Sequence, residues 1–565
     1  MTESPLSPGV NQDSDRFDLI LIGAGINGSG IARDATLRGL RVLVLDKGDV
    51  AGGTTSWSTR LIHGGLRYLE HREVGLVRES LQERERLLRI APHLVRPLPL
   101  LLPIYRGDKR GRLLIRAGMV AYDVLSRGKS LPGHRVLSRA AALGRAPGLA
   151  VPGLLGAALY HDAQLEYAER LALENVLDAR ARGAEIRTYH HVSEILREDE
   201  RVTGVAGNDI LTGEPFRYAA PVVVNVTGPW VDEVLIGSNL GQRSRLIGGS
   251  KGSHIVIDPF PGAPRDALYA EARQDGRPFF IIPWNDLYLV GTTDTRYDGD
   301  LDEVKAEEWE IDLLLTETNR VIPTAKLTRE CVRYTYAGVR PLPYAPGVSE
   351  ASITRRHIML DHDASGRARG LISIVGGKLT TYRELAEQCV DLVLRKLDRA
   401  SVRSQSAEMP LPGGMTDLPW GEFAASFART SGLPRQTVEH LLRVYGARAP
   451  EVLATASTPE LREVFDPFTG AIAAEVPWAY HEEGARTLID VIARRTMVGL
   501  GPDAGIGADA AAAQVARDTL GWDSAKVDAE VDAYWCWVSR YQPRALEATT
   551  IDAQSPAHQK VSCRT

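Results

Sequence analysis

Cysteine is scarce in this 565-residue sequence, which contains only Cys331, Cys389, Cys536 and Cys563. No two of them form a CxxC pair, so the sequence predicts no zinc or iron–sulfur centre, and no metal ligands are expected. Their wide spacing also argues against a disulfide framework. We interpret them as reduced thiols of a cytosolic protein.

The sequence also lacks a run of 18 apolar residues, so no segment is predicted to span a bilayer. Its first 17 residues have neither the basic start nor the apolar stretch of a signal peptide. The excess of 72 acidic over 67 basic residues is small, which gives no general case for nucleic-acid binding. With 25% charged and 44% hydrophobic residues, the composition indicates a globular protein with several buried cores.

What the sequence does contain, close to its start, is a strand–helix–strand pattern. Residues 17–22 and 41–46 are apolar runs that are typical of buried parallel strands. A helix is predicted between them over about 28–38, and Gly39 suits the left-handed position that follows a helix. This βαβ opening predicts a parallel, doubly wound sheet.

The same pattern returns later in the chain, which indicates that the nucleotide-binding domain is discontinuous. Helices are also predicted over 73–91, 165–182 and 380–397, and strands over 222–226, 254–257, 279–282, 288–290 and 372–375. The predicted division is a tail at 1–16, a nucleotide-binding domain at 17–95, 160–248 and 365–400, a substrate domain at 96–159 and 249–364, a Ser-, Pro- and Gly-rich linker at 401–419, a helical domain at 420–548 and a tail at 549–565.

The first strand runs into a GxGxxG motif formed by Gly23, Gly25 and Gly28. The first glycine permits a tight turn, the second lets the backbone approach a pyrophosphate, and the third lets helix and strand pack closely. Asp46 ends the second strand, where a carboxylate accepts hydrogen bonds from a ribose. The motif predicts dinucleotide binding but does not separate NAD from FAD.

The segment that follows favours FAD. Residues 54–70 place five hydroxyl groups and the adjacent glycines Gly64 and Gly65 shortly after Asp46. Hydroxyl groups there can donate to phosphate or ribityl oxygens, and adjacent glycines let a backbone lie flat against a ring system. The alternative is a polar surface loop.

Seven ordered motifs between residue 22 and about 390 resemble those of the FAD-dependent glycerol-3-phosphate dehydrogenases, within the glycine/D-amino-acid oxidase-like flavoprotein superfamily. These motifs are IGAGINGSGIARDATLRGLRVLVLDKGD, RLIHGGLRYLE, VNVTGPWVD, KGSHIVI, PWNDLYLVGTTDT, YAGVRPL and GGKLTTYRELAE. The resemblance implies an α/β fold, with a discontinuous Rossmann-like FAD-binding domain, a β-rich substrate domain and a C-terminal helical domain.

The resemblance also implies which residues hold the FAD. The ADP half is assigned to Gly23, Gly25, Gly28 and Asp46, the adenine to Val192, and the pyrophosphate and ribityl chain to Thr54, Thr55, Ser56 and Ser58. The isoalloxazine is assigned to Gly64, Gly65 and Leu66, a covering segment to Thr227, Gly228 and Trp230, and the flavin O2 edge, next to a helix N-terminus, to Gly377, Lys378, Leu379 and Thr380. Asn27, Lys47 and His63 are also expected to contact the cofactor. Many relatives carry Glu at the position of Asp46, but the shorter carboxylate still reaches a ribose.

A glycerol 3-phosphate substrate needs cations for its phosphate group. Arg67, Arg340, Arg355 and Lys378 come from distant motifs, which suggests that they converge on one pocket, and Tyr68 is included with them. Surface arginine is the alternative interpretation, and it is the one we favour for Arg356.

The reaction also needs a base for the C2 hydroxyl, and His254 is our choice because histidine titrates near working pH. The alternative that His254 only hydrogen-bonds to substrate or flavin, without taking the proton, remains open. His63 is a weaker second candidate for the base. The expected catalytic residues are therefore His254, Arg340 and Lys378. No protein nucleophile is needed for this chemistry.

Residues 105–129 carry a local charge of +5, with apolar side chains between the bases. This pattern predicts either a peripheral contact with an anionic membrane, into which Leu114, Met119 and Val120 would insert, or a helix with a solvated basic face.

The resulting expectation is an enzyme that oxidises glycerol 3-phosphate with FAD and passes the electrons to a membrane quinone from the cytoplasmic face. Homodimerisation stays open. An oxidase that uses oxygen is the alternative, and a nucleotide-binding sensor without turnover is a remote one.

Overall fold

The computed structural model describes residues 16–69, 73–108, 110–241, 245–273, 276–348, 352–366 and 368–545. Apart from Arg16, both predicted tails lie outside the described residues. The strands are, in chain order, β1 (Leu19–Ile22), β2 (Val42–Leu45), β3 (Leu61–Ile62), β4 (Val95–Tyr105), β5 (Arg135–Ser138), β6 (Leu154–Leu165), β7 (Glu185–Arg187), β8 (His190–Glu198), β9 (Arg201–Asp209), β10 (Pro215–Ala219), β11 (Val222–Asn225), β12 (Ser250–Ile257), β13 (Ala267–Glu271), β14 (Pro278–Trp284), β15 (Leu287–Gly291), β16 (Thr295–Arg296), β17 (Val332–Arg340), β18 (Ile358–Asp361), β19 (Leu371–Val375), β20 (Val464–Asp466) and β21 (Ala471–Ile472).

The helices divide between the sheets and the C-terminal part of the chain. They are α1 (Ile26–Leu37), α2 (Val74–Ile90), α3 (Arg112–Leu125), α4 (Arg139–Arg145), α5 (Ala168–Ala181), α6 (Val231–Gly237), α7 (Glu308–Val321), α8 (Tyr382–Lys396), α9 (Trp420–Thr430), α10 (Arg435–Tyr445), α11 (Ala449–Thr455), α12 (Glu475–His481), α13 (Leu488–Asp490), α14 (Ala508–Leu520) and α15 (Ser524–Ser539).

The nucleotide-binding sheet has the strand order β18-β19-β11-β1-β2-β7, and every neighbouring pair except β18–β19 is parallel. All residues of β1, β2 and β11 are buried, because α1, α5 and α8 cover one face of the sheet, and β8, β9 and α6 cover the other. Helix α1 ends as expected before Gly39, whose φ of +78° lies in the left-handed region. The predicted α/β fold class is confirmed.

The substrate domain is a large mixed sheet of the order β16-β12-β15-β14-β13-β4-β6-β3, with β17 beside β12 and β5 beside β6. Strand pairing corrects the predicted boundaries in three places. Residues 61–62 and 160–165 pair within this sheet, although they were assigned to the nucleotide-binding domain. Residues 358–361 pair with β19 and so extend the nucleotide-binding sheet, although they were assigned to the substrate domain.

The predicted linker at 401–419 packs closely against the nucleotide-binding domain. Arg33 donates to the carbonyl oxygens of Met409 and Pro410 at 2.8 and 3.1 Å. Leu411 is fully buried, and its N–H donates to Ile90. This segment therefore fixes the start of the helical domain against the sheet.

The basic segment at 105–129 contains α3, which packs through Ile115, Met119 and Tyr122. Leu113 is 83% exposed and Val124 is 66% exposed on its outer side. Met119 is fully buried, so the expectation that it inserts into a membrane is wrong: its side chain already belongs to the core.

Buried ion pairs hold the helical domain against the nucleotide-binding domain. The carboxylate of Asp49 accepts from Arg495 at 2.7 and 2.8 Å and from Arg494 at 2.7 Å. Burial raises the pKa of Asp49, but the two guanidinium groups more than offset this and lower it to about 2. Arg170 and Glu483 form a second pair with no exposed surface.

Removing one member of this cluster should destabilise the protein strongly. Arg495→Met leaves part of the charge of Asp49 uncompensated in the interior, at an expected loss of about 3–5 kcal/mol in the free energy of unfolding. Calorimetry of the holoenzyme should show a clearly lower thermal midpoint. Arg245→Met is the matched control, since Arg245 pairs with Asp298 on the surface and exposed pairs contribute about 0.2–1 kcal/mol. Equal midpoints for the two variants would contradict the assignment.

Candidate active site

A cavity of about 820 Å³ opens at the carboxyl ends of β1, β2 and β11. Pockets of roughly 300–1,000 Å³ are typical of small-molecule and cofactor sites, and this edge of an open α/β sheet is where such ligands bind. Of the cofactor residues predicted above, those that line the cavity are Gly23, Gly25, Asn27, Asp46, Lys47, Thr54, Thr55, Ser58, Val192, Thr227, Gly228, Trp230, Gly377, Lys378 and Leu379.

The glycine loop forms the floor of the cavity. Gly23 has a φ of +115°, and a Cβ on it would lie 2.8 Å from the carbonyl oxygen of Val226, so no side chain fits. A Cβ on Gly28 would overlap the carbonyl of Gly23, which is why the helix can begin so close to the strand. Gly25 is the N-cap of α1, whose first N–H groups and positive dipole end face a pyrophosphate position.

Asp46 lies beside this loop. Its Oδ2 accepts from Ala24 N–H at 2.6 Å and its Oδ1 from Gly48 N–H at 2.8 Å, while burial raises its pKa. Each carboxylate oxygen keeps a second lone pair, which suits a ribose hydroxyl donor. Lys47 packs over the Trp230 ring at 4.6 Å and forms an ion pair with Asp302.

Three buried polar atoms in the cavity wall have no hydrogen-bond partner among the described residues: Asn27 Oδ1, Trp230 Nε1 and the hydroxyl oxygen of Tyr541. Buried polar groups are rarely left unpaired, because each costs about 1–3 kcal/mol. Together with the glycine loop and the carboxylate, these atoms fit an elongated polar cofactor such as FAD.

The hydroxyl-bearing residues that follow Asp46, at 54–59, do not all face the cavity. Thr55 Oγ1 accepts from Ile26 N–H at 3.0 Å, and Thr54 donates to Val339 at 2.7 Å. Ser56, however, donates to Ala51 at 2.7 Å and lines a separate pocket of about 20 Å³. Its predicted contact with the cofactor is not supported, because its hydroxyl group points away from the main cavity.

The residues assigned to the isoalloxazine do not line the cavity. The Gly64 N–H donates to the Tyr122 hydroxyl at 2.9 Å, which holds 63–66 against the substrate domain. Burial, with Lys378 and Arg84 nearby, lowers the pKa of His63 to about 3, so its ring is neutral. Thr380 is bonded to His63 rather than to the cavity, and α8 begins only at Tyr382.

Two of the predicted phosphate-binding cations meet at one carboxylate. Arg340 Nη1 lies 3.2 Å from Asp294 Oδ1, and Arg355 Nη2 lies 3.5 Å from Asp294 Oδ2. Burial lowers the pKa of Lys378 to about 8, and its ammonium group lies 4.7 Å from the Tyr68 ring centre. The side chain of Arg67 lies outside the described residues.

His254 lies on β12 and is 1% exposed. Its ring stacks on Tyr336 with 4.7 Å between ring centres, and a Cβ on Gly291 would overlap the ring. Burial, then the charges of Arg340 and Arg60, hold the pKa of His254 well below its usual value, so the imidazole is neutral.

Sequence reasoning missed the contribution of the helical domain. Residues of this domain that line the cavity are Ile489, Arg494, Trp537, Arg540 and Tyr541. Trp57 packs against Tyr541 at 5.1 Å between ring centres and joins the two domains there. The pair Trp535 and Trp537 was the available signal, since aromatic residues make up only 6% of the chain.

Comparison with known proteins agrees with this site. Residues 18–383 match the model of the FAD dependent oxidoreductase family, and residues 404–527 match that of the C-terminal domain of alpha-glycerophosphate oxidase. The chain is 49% identical to a glycerol-3-phosphate dehydrogenase of Synechocystis sp., over 92% of this chain and 95% of that protein. It is 38% identical to a D-erythritol 1-phosphate dehydrogenase of Brucella abortus, over 86% and 95% of the two chains.

Among solved structures, the glycerol-3-phosphate dehydrogenase of Bacillus halodurans complexed with FAD aligns with a TM-score of 0.75 and 28% identity, over 93% of this chain and 95% of that one. Both the nucleotide-binding and the C-terminal parts are therefore covered by related proteins. The chain belongs to the FAD-dependent glycerol-3-phosphate dehydrogenase family, and its cofactor is FAD.

Proposed function

We propose that this protein oxidises sn-glycerol 3-phosphate to dihydroxyacetone phosphate and passes the electrons to a membrane quinone. The single observation that carries the substrate assignment is the position of Arg340 relative to His254 on neighbouring strands. The names of the related proteins support the same substrate class.

The spacing between these two residues follows from the strand geometry. Arg340 pairs with Ser250, and its guanidinium group fills the space that a Cβ on Gly252 would take. Gly252 and His254 face the same side of β12, because side chains two residues apart share a face, about 6.6 Å from each other. This spacing suits a three-carbon ester with its phosphate at Arg340 and its middle hydroxyl at His254.

The cations around the phosphate position are held by Asp294. Burial by itself would raise the pKa of Asp294. Arg340, the hydroxyl of Ser250 and Arg355 outweigh this effect and lower the pKa, so Asp294 stays ionised. Arg340 also donates to Thr292 Oγ1 at 3.0 Å. The two guanidinium groups of Arg340 and Arg355 against the one carboxylate of Asp294 leave a net positive charge, which suits a phosphate group.

The chemistry divides between the cofactor and the protein. FAD, when bound, supplies a hydride acceptor at N5. Arg340 and Arg355 orient the substrate through its phosphate, and the neutral His254 takes the proton of the C2 hydroxyl. Lys378, which lies at the cavity wall, adds positive charge between the phosphate and cofactor positions.

The membrane assignment rests on α3. Arg112 and Arg116 are exposed beside the exposed apolar side chains of Leu113 and Leu114, which is the pattern of a helix lying in an anionic interface. Within the described part of the chain, we find no helix with both the length and the apolar character needed to cross a bilayer. A peripheral position on the cytoplasmic face, near a quinone dissolved in the lipid, is therefore the location that we propose.

An acceptor assay tests this function directly. Holoenzyme, glycerol 3-phosphate and a short-chain quinone should yield dihydroxyacetone phosphate in a one-to-one ratio with reduced quinone, without oxygen. If product forms only with oxygen, and with hydrogen peroxide, the quinone assignment falls and the oxidase alternative replaces it. If product forms from D-erythritol phosphate but not from glycerol 3-phosphate, the substrate assignment falls.

Arg340→Lys should lower kcat/KM for glycerol 3-phosphate by about 10- to 150-fold. This loss corresponds to about 1.5–3 kcal/mol for a bidentate charged contact replaced by a point charge. The FAD content should not change. Arg333→Lys is the matched control, because Arg333 also pairs with an aspartate, Asp258, but lies at the opposite end of the same strand. An unchanged kcat/KM for Arg340→Lys would show that Arg340 does not bind the phosphate.

Replacing both Arg112 and Arg116 with Gln should weaken binding to anionic vesicles about 30-fold. Each basic residue near such a surface contributes about 1 kcal/mol. Co-sedimentation measures the effect, and salt should release the wild-type protein, since a Debye length of about 10 Å at 0.1 M screens the attraction. Arg135→Gln with Arg139→Gln controls for charge alone, because both are exposed outside α3. A wild-type protein that ignores anionic vesicles at low salt would contradict the membrane assignment.

A further inference from the structure

The two ring nitrogens of His254 have different surroundings. Nε2 lies 3.0 Å from the hydroxyl oxygen of Thr59. Nδ1 is buried and has no hydrogen-bond partner among the described residues. The ring is also held on its faces, by Tyr336 on one side and by the close approach of Gly291. The hydrogen bond to Thr59 is therefore the polar contact that can determine which ring nitrogen of His254 carries the proton.

We propose that Thr59 is a positioning residue that sets the tautomer of His254, so that Nε2–H donates to Thr59 and Nδ1 presents its lone pair to the substrate hydroxyl. The inference rests on the proposed function, because it assigns the acceptor atom for the proton of that reaction.

The alternative tautomer is less favourable in this environment. It places an N–H at Nδ1, and a buried N–H without an acceptor is rarer and more costly than a buried acceptor without a donor. Of the charged groups that act on the ring, Arg340 belongs to β17 and Arg60 to the segment before β3, and both are positive. This positive environment keeps the ring neutral, so the choice lies between its two neutral tautomers.

The tautomer decides whether His254 can act as a base. A neutral imidazole carries one donor and one acceptor nitrogen. In the tautomer with its proton on Nδ1, that nitrogen could donate a hydrogen bond to the substrate hydroxyl but could not accept its proton. With the lone pair on Nδ1, the substrate O–H bond breaks and an N–H bond forms there. The electron pair of that O–H bond would become part of the new carbonyl, and the C2 hydrogen would leave with its own electron pair to the hydride acceptor that bound FAD would supply. The alcohol is thereby oxidised and the cofactor is reduced.

The test compares two replacements of Thr59. Thr59→Val keeps the shape but removes the hydroxyl group, whereas Thr59→Ser keeps the hydroxyl group and removes a methyl group. We expect Thr59→Val to slow flavin reduction by glycerol 3-phosphate under anaerobic conditions about 100-fold, the low end of what a positioned base contributes. KM and FAD content should change less than about 3-fold, because the phosphate contacts are separate, and Thr59→Ser should remain within about 3-fold of the wild type.

Thr318→Val is the matched control, since Thr318 is buried and its hydroxyl group donates to Leu314 within α7, away from the site. It should reduce flavin at the wild-type rate. If Thr59→Val does not fold, Thr59→Ala serves in the same comparison.

Two results would overturn the inference: wild-type flavin reduction in Thr59→Val, or a Thr59→Ser variant as slow as Thr59→Val. Failure of the wild-type enzyme to be reduced by glycerol 3-phosphate would instead refute the proposed function, so the two failures are distinguishable.

Discussion

The pairing of β12 with β17 is the constraint on which the active site depends. It runs antiparallel from Ser250 opposite Arg340 to Ile257 opposite Val332. Both strands are buried along most of their length, so the register is fixed by the core. A slip of one residue would turn His254 to the other face of the sheet and separate it from Arg340. The spacing between the proposed proton acceptor and the proposed phosphate-binding residue is therefore a property of the fold, not of a loop.

The helical domain completes this arrangement from the other side. Arg494 is bonded to Asp49 of the nucleotide-binding domain and also lines the cofactor cavity. Trp537 and Tyr541 close the cavity wall where Trp57 meets them. Because the buried ion pairs form only when the domains are docked, docking and the assembly of the cofactor site are coupled. This explains why a segment far from the glycine loop in sequence belongs to the same functional unit.

The nucleotide-binding part was predictable because its signals are local. The GxGxxG loop, the apolar strands and Asp46 each follow from short-range backbone requirements, and the structure places them where the pattern predicts. The roles proposed for Asp294 and Thr59 depend instead on which residues come together in the folded sheet, and no local sequence pattern contains that information.

The absence of tertiary information from local sequence patterns also explains the wrong expectations for Ser56 and Met119. In the sequence, Ser56 is one of five neighbouring hydroxyl-bearing residues. In the structure, its hydroxyl group donates a hydrogen bond to the carbonyl oxygen of Ala51 and so points away from the cavity. In the sequence, Met119 belongs to the apolar residues of a helix that was expected to contact a membrane. In the structure, its side chain packs against the sheet and is buried. In both cases a tertiary contact decides the outcome.

In the proposed function, the cations around Asp294 and the imidazole of His254 present a phosphorylated three-carbon alcohol to FAD. Anaerobic titration of the holoenzyme, followed by the visible absorbance of the flavin, tests it most directly. Glycerol 3-phosphate should bleach the flavin completely, whereas glycerol at the same concentration should not. Equal bleaching by both compounds, or none by glycerol 3-phosphate, would contradict it.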